Sequence, residues 1–325
     1  MINYKLQYAL HKSFTLLIAV LLMIVICSFN HLPYFNVQIV VFAFIVSSVL
    51  FEIRETHERL RLLVKIYLAT SILQILMGIS HNYLFFELIL ITCSSAMILN
   101  WVDNKSAVMV IFISSYLNYF DNSNFYVAMS RVIELSISAL VAYVSSYIGH
   151  LFLPFQSSKS GIQVYTPKDK ISIVCEIFTA ILLANLFSLK QGIWVILTIF
   201  FIRLAIDEIH TVEKLSARRI LSVPLGLWFG IIFLSSLTYL NYRFFYLVPF
   251  LGTFGFFALY YWGSFFFFSL FFMFTFMIYT DYSVGVYNEF HPWQFLLGRS
   301  LATLYGALII IVFNRLIKIG ESENV

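Results

Sequence analysis

The sequence predicts an all-α integral membrane protein of about twelve transmembrane helices in two tandem six-helix repeats, on three observations. The first is composition. Of the 325 residues 61% are hydrophobic and 11% charged, with a mean hydropathy of +0.90. A soluble globule could not clothe itself with so few polar groups, so the outer surface must face lipid. The second is a row of apolar windows, each close to the ~20 residues of a membrane crossing. The third is that the chain states its architecture twice.

The windows fall at 13–30, 34–51, 62–79, 84–101, 106–120, 129–154, 170–189, 191–206, 218–240, 244–262, 264–280 and 293–314. The first is a retained helix, because SFNHLPYF follows it where a signal peptide needs small residues for cleavage. Windows 106–120 and 191–206 are short and call for tilt, local thinning of the bilayer or a re-entrant path. The charged stretches EIRETHERLRLLVK (52–65) and DEIHTVEKLSARR (207–219) read as inner loops. TDYSVGVYNEFHPW (280–293) reads as an outer loop, and the phenylalanine-dense 245–279 as lipid-facing or helix-packing surface.

With both termini inside, sixteen of the twenty lysines and arginines fall on the cytoplasmic side, Arg203 and Arg219 among them. Only Arg131, Lys190, Arg243 and Arg299 remain outside. That asymmetry orients the chain in a bacterial inner membrane, and the excess positive charge addresses anionic lipid rather than nucleic acid. Cys27, Cys93 and Cys175 lie inside apolar windows and read as small packing residues.

The repeat rests on drifting alignments between the halves. SRVIELSISALVAYV (130–144) lies over GRSLATLYGALIIIV (298–312), placing Arg131 on Arg299. ERL (58–60) lies over EKL (213–215), and Phe14-Thr15 over Phe178-Thr179. The expected organisation is a first repeat over 1–155, a cytoplasmic linker over 156–169, a second repeat over 170–316 and a tail over 317–325. An even number of helices per copy gives both the same orientation about an axis along the membrane normal.

Ionisable residues deep in apolar windows are costly, about 2.5–3.5 kcal/mol at mid-bilayer, and mark pathways. Glu87, Arg131, Glu134, Glu176 and Arg299 qualify. Arg131 and Glu134, three apart on one helix, are spaced to pair. Arg299 has Ala302 where its counterpart has Glu134, and is followed on the same face by Thr303 and Gly306, so it is the candidate anion contact. Glu134 and Glu176 are the acids available for proton coupling, with Glu176 also suited to a headgroup-level role near Lys170. The seven histidines show no metal-ligand spacing, and there is no phosphate-binding glycine loop or nucleophile elbow. No cofactor or metal is expected.

In QGIWVILT, a charged connection and then RRILSVPLG, the chain resembles the fusaric acid resistance and aromatic acid exporter family. That family carries a Trp-x-x-x-Thr helix and an Arg-x-x-Gly-Thr-x-x-Gly helix. Trp194 and Thr198 fill the first pattern, and Arg219 and Gly226 the second, with Ser222 and Val223 in place of its middle Gly-Thr. RSLATLYG echoes the second pattern through Arg299, Thr303 and Gly306. The chain departs from many members in lacking a large cytosolic domain. The resemblance implies six-plus-six helices and a path for organic anions. It adds Trp194, Thr198 and Arg219 to the candidate substrate contacts Arg299, Thr303 and Arg131, and Gly226, Gly230 and Gly306 as helix-packing positions. The expected function is gradient-driven efflux of an organic or aromatic carboxylic acid, with a periplasmic adaptor and a homodimer as possible partners. Plant malate channels share the six-helix unit, so a passive anion channel stays open, as does a membrane enzyme or scaffold using Asp207, Glu208 and His210.

Overall fold

A computed structural model describes residues 4–29, 42–43, 46–47, 49–51, 53, 55–80, 84–102, 104–119, 125–152, 165–187, 189, 192–205, 212–240, 253, 257, 261 and 292–322. Among them every extended element is an α-helix and no strand occurs. The helices are α1 (Tyr4–Phe29), α2 (Thr56–Ser80), α3 (Leu84–Trp101), α4 (Lys105–Tyr119), α5 (Phe125–Phe152), α6 (Pro167–Leu186), α7 (Ile193–Ala205), α8 (Val212–Leu240) and α9 (Pro292–Ser322). They match nine of the twelve apolar windows. The windows at 244–262 and 264–280, most of 34–51, most of the linker, and the outer loop before Pro292 lie outside the described residues, as do Asp207, Glu208 and His210. Among the described residues four helices are long and apolar enough to cross a bilayer, over Leu6–Met23, Thr56–Ile79, Phe125–Phe152 and Leu296–Leu316.

Both inner loops are shorter than expected. Helix α2 begins at Thr56 and α8 at Val212, so most of the charged residues assigned to loops ride on the first turns of helices. Glu, Lys, Arg and Leu are strong helix formers, and Glu58 and Glu213 sit in first turns, where a negative charge meets the positive helix end.

Helix α5 shows why this chain suits lipid. Three of its serines point inward: Ser138, Ser145 and Ser146 are fully buried, their hydroxyls donating to the carbonyls of Glu134, Val141 and Tyr143. Its large apolar residues point outward, Ile133 being 65% and Leu140 62% exposed. A water-soluble helix has the opposite arrangement. Cys93 and Cys175 also lie on outward faces as free thiols, where packing positions had been expected; the Cys27 side chain lies outside the described residues.

The chain gathers into two compact units, each drawing on both halves of the sequence. The first comprises residues 1–68, 131–161 and 225–292. In it Ala19, Met23, Ala43 and Val141 form a buried cluster against Leu22 and Ile26. Beyond the short helical turns before Phe51, the chain is held by side chains from other helices. The His150 Nε2–H donates to the Phe51 carbonyl at 2.8 Å with its ring stacked on the Phe51 ring, and Arg59 donates twice to the Ile53 carbonyl at 3.1 and 2.8 Å. Cationic or N–H-bearing side chains at a helix C-terminus satisfy carbonyls that have no partner in the next turn.

The second unit comprises residues 69–130, 162–224 and 293–325. Here α3 packs on α6, α4 on α7 and α6 on α7. Phe112 of α4 stacks on Phe200 of α7, and Phe187, just past α6, on Tyr305 of α9. Helix α6 opens with a capping box: Thr166 Oγ1 accepts from the Asp169 N–H at 3.2 Å, and the Thr166 N–H donates to Asp169 Oδ2 at 3.1 Å, with Pro167 at the first position.

In the first unit the backbones of α1 and α5 come close at Gly149, where an added Cβ would overlap the Thr15 hydroxyl. Thr15 is itself bound to the His11 carbonyl at 3.1 Å, so it does not swing away freely. Gly149→Ala is expected to cost about 1–3 kcal/mol through overpacking, and Gly149→Ala with Thr15→Ala to recover most of it. Melting temperatures of the four members of this cycle in matched detergent check the coupling.

Candidate functional site

Helix α7 is thirteen residues long, about 20 Å at the helical rise and shorter than the ~30 Å hydrocarbon core. Its side chains meet three arginines, all within the second unit. Trp194 lies under Arg299 of α9, Phe201 lies under Arg219 of α8, and Arg203 is its own cation, turned toward α6. Trp194 and Phe201 are seven residues apart, so the two aromatic faces share one side of the helix about 10 Å apart.

The Arg299 guanidinium carbon is 3.5 Å from the centre of the Trp194 ring, and Arg299 is buried. This contact depends on how closely α9 approaches α7. A Cβ at Gly306 would stand 2.5 Å from the Val195 carbonyl oxygen and 2.8 Å from Thr198 Cβ, so only glycine fits there. Thr198 is part of the same contact. Its hydroxyl donates to the Trp194 carbonyl at 2.7 Å, which spends its one proton and leaves only acceptor capacity toward a guest. Thr303, one turn beyond Arg299 on the same face, is buried.

Arg219 is 1% exposed. Among the described residues its side chain makes no hydrogen bond or ion pair; its guanidinium lies 4.6 Å from the centre of the Phe201 ring. A cation–π contact returns up to about 2 kcal/mol when desolvated, against several kcal/mol for burying an ion, so the charge is incompletely compensated. Ser216, one turn earlier on the same face, also has a buried hydroxyl with no hydrogen bond among the described residues.

Arg203 is different. Its Nε donates to Glu176 Oε2 at 3.2 Å, its Nη2 donates to Glu176 Oε1 and to Ser172 Oγ (2.6 Å), and Ser172 Oγ donates to Glu176 Oε1 at 2.9 Å. Asp169, the capping acid of α6, stands 3.6 Å from Arg203 Nη1. Tyr165, buried just ahead of α6, faces the same charges; burial pushes its phenol well above the usual range and keeps it neutral. Glu176 is therefore fully buried in a bidentate ion pair, and the cation that holds it comes from the neighbouring helix rather than from Lys170. Lys170 instead donates to Asn100 of α3 at 3.1 Å. The pairing was missed because Arg203 was counted only among the charges of the cytoplasmic side; two lone opposite charges in successive apolar windows were the available signal.

The structure thus brings Trp194, Thr198, Arg299 and Gly306 together, with Arg219 of α8 against Phe201 of the same helix α7 and Thr303 on the helix face of Arg299. Arg131 and Glu134 belong to the first unit, both half-buried and three apart on α5. Gly226 is buried in α8; the packing of Gly230 and the side chain of Glu87 lie outside the described residues. No cluster of three or more metal-ligating side chains occurs among the described residues.

Two outcomes are expected from this geometry. Arg203→Met is expected to destabilise by about 3–5 kcal/mol by stranding Glu176, whereas Arg203→Met with Glu176→Leu recovers most of the loss. Gly306→Ala should lower the melting temperature and weaken quenching of the Trp194 fluorescence, because the clash is with backbone and α9 must move away. Thermal melts in detergent, with Trp194 kept as the single tryptophan for the second variant, check both.

No curated protein and no solved structure matches the chain. One family does, and its match spans the last part of α6, all of α7 and α8 and most of α9, and so includes Trp194, Thr198, Arg219, Arg299, Thr303 and Gly306. Residues 179–313 match the model of the fusaric acid resistance protein-like family, the family whose resemblance was read from Trp-x-x-x-Thr and Arg-x-x-x-x-x-x-Gly in the sequence.

Proposed function

We propose that this membrane transport protein exports small organic acids, aromatic carboxylates in particular, across a bacterial inner membrane as a gradient-driven transporter with both termini cytoplasmic. The coarse part of that reading, a membrane transporter of the fusaric-acid-resistance type, follows from the family match and the apolar helices. The observation that supports the finer part is the state of Arg219. A buried guanidinium resting on a phenylalanine ring, with no carboxylate among the described residues, is a cation prepared for an anion that arrives from outside the protein. The aromatic platform beneath it suits a guest that is itself a flat ring bearing a carboxylate, and Arg299 on Trp194 repeats the arrangement two turns away along α7. Arg203 supplies the contrast: its charge is already answered by Glu176. The tandem repeat of six-helix copies accompanies this reading, with Arg131 of the first copy held mainly by structural contacts and Arg299 of the second turned toward the anion. Glu176 and Glu134 are the acids through which a proton gradient would couple.

The test pairs transport with stability. Arg219→Gln and Arg299→Gln are each expected to cut efflux of a labelled aromatic acid from vesicles by more than about tenfold, the equivalent of ~1.4 kcal/mol. Arg219→Gln should leave the melting temperature unchanged or raise it, since it removes an incompletely compensated buried charge. Arg131→Gln should lower the melting temperature with a smaller effect on efflux. Uphill efflux that collapses with an uncoupler distinguishes a transporter from a passive channel. Normal efflux by both Arg219→Gln and Arg299→Gln would overturn the assignment of the anion site.

A further inference from the structure

Many hydroxyls among the described residues are answered by their own helix. Ser13, Ser145 and Ser300 donate to the carbonyl four residues earlier at 2.6–2.7 Å, and Thr92 and Thr198 do the same at 2.6 and 2.7 Å. This is the economical way to carry a polar side chain through lipid. One seam of the second unit departs from it. On α2, Ser71 Oγ and Gln74 Oε1, and on α4, Ser114 Oγ and Ser115 Oγ, are sealed from solvent and make no hydrogen bond among the described residues.

These four groups are placed together. Gln74 Nε2 donates to the Ser114 carbonyl at 3.4 Å, which joins the two helices. Ser71 precedes Gln74 by one turn on the same face, and Ser115 follows Phe112, which stacks on Phe200 of α7, by one turn on the face toward α7. The seam therefore runs beside the helix that carries the two arginine–aromatic contacts. Among the described residues no charged side chain hydrogen-bonds to these four groups.

We propose that the seam between α2 and α4 is the closed wall of an aqueous path through this unit, and that water is the ligand its four groups take up when the path opens. The assignment presupposes that the chain transports a solute. The chemistry of the groups selects the guest. Gln74 Oε1 only accepts, so it needs a donor, whereas a serine hydroxyl is satisfied by donating, accepting or both. A carboxylate cannot donate and would face Gln74 Oε1 as one lone pair against another. Water does both and is neutral, as the seam is. In the closed state the groups are sealed and unsatisfied, a cost that alanine in place of serine would remove without disturbing the packing; in the open state each acquires a partner.

The experiment measures access of water-borne reagent, independently of any acid. In a background with Cys27, Cys93 and Cys175 replaced by Ala, single Ser71→Cys, Ser114→Cys and Ser115→Cys variants of the full chain are treated in membrane vesicles with a small charged methanethiosulfonate. Leu73→Cys and Ile111→Cys, at equally buried apolar positions, are the controls. Thiosulfonates react with the hydrated thiolate, so at least two of the seam thiols are expected to react about tenfold faster than the controls. Modification at control rates at two or all three seam positions overturns the proposal. Serine to cysteine changes volume little, and the melting temperature identifies any variant that has not folded, in which case the remaining two positions decide. Fast seam labelling with normal efflux by Arg219→Gln and Arg299→Gln would keep the path and refute the anion site. Slow labelling with impaired efflux would do the reverse.

Discussion

The approach of α9 to α7 at Gly306 is the contact on which the candidate site depends. With no side chain at 306, the α9 backbone comes up against the Val195 carbonyl and the Thr198 side chain, and one and two turns earlier on the same face Thr303 is buried and Arg299 lies flat on Trp194. Any larger residue would hold the helices apart and lift the guanidinium from the ring. Thr198 serves the same contact by folding its hydroxyl back to Trp194, which leaves its carbon face toward Gly306. The Trp-x-x-x-Thr pattern thus has a mechanical meaning: the ring receives a cation, and the threonine one turn later shapes the surface against which the next helix rests.

Around α7 the same kind of charge is treated in two ways. Arg203 is neutralised by Glu176 with Ser172 completing the bonding, and Asp169 ties this pair to the capped start of α6. Arg219 and Arg299 rest on rings instead. A ring face lowers the energy of a cation without changing the net charge, so the field at Arg219 stays positive, whereas around Arg203 it is cancelled within a few ångströms. One short helix therefore faces both a closed electrostatic contact with α6 and an open one at Arg219.

Much of this was legible in the sequence. Apolar windows located nine helices because a bilayer demands long runs of one character, and Trp194, Thr198, Arg219, Arg299 and Gly306 stood out as a tryptophan, arginines and a glycine at helical spacing in otherwise featureless apolar text. What the sequence concealed were relations between helices. Arg203 and Glu176 are far apart in the chain, and each alone resembles a charge near a membrane surface. Helix starts were misjudged because charge was taken as the mark of a loop, although Glu, Lys and Arg extend helices well. The seam at Ser71, Gln74, Ser114 and Ser115 was invisible for a simpler reason: serine in a membrane helix normally bonds to its own backbone, and only packing reveals where it does not.

Helices α2, α5 and α8 each run from one compact unit into the other, changing membership at Leu68/Ala69, Ser130/Arg131 and Pro224/Leu225. During synthesis this interleaving sets an order. Trp194 leaves the ribosome about a hundred residues before Arg299, so α7 enters the membrane without the cation that will lie on its tryptophan. The second unit reaches its final contacts only once residues 293–322 have been made, and a nascent chain halted anywhere before them holds an incomplete version of that unit. Insertion of the helices and completion of the site are therefore separate events in the life of the molecule, and the interval between them is when membrane quality control has the most exposed surface to recognise.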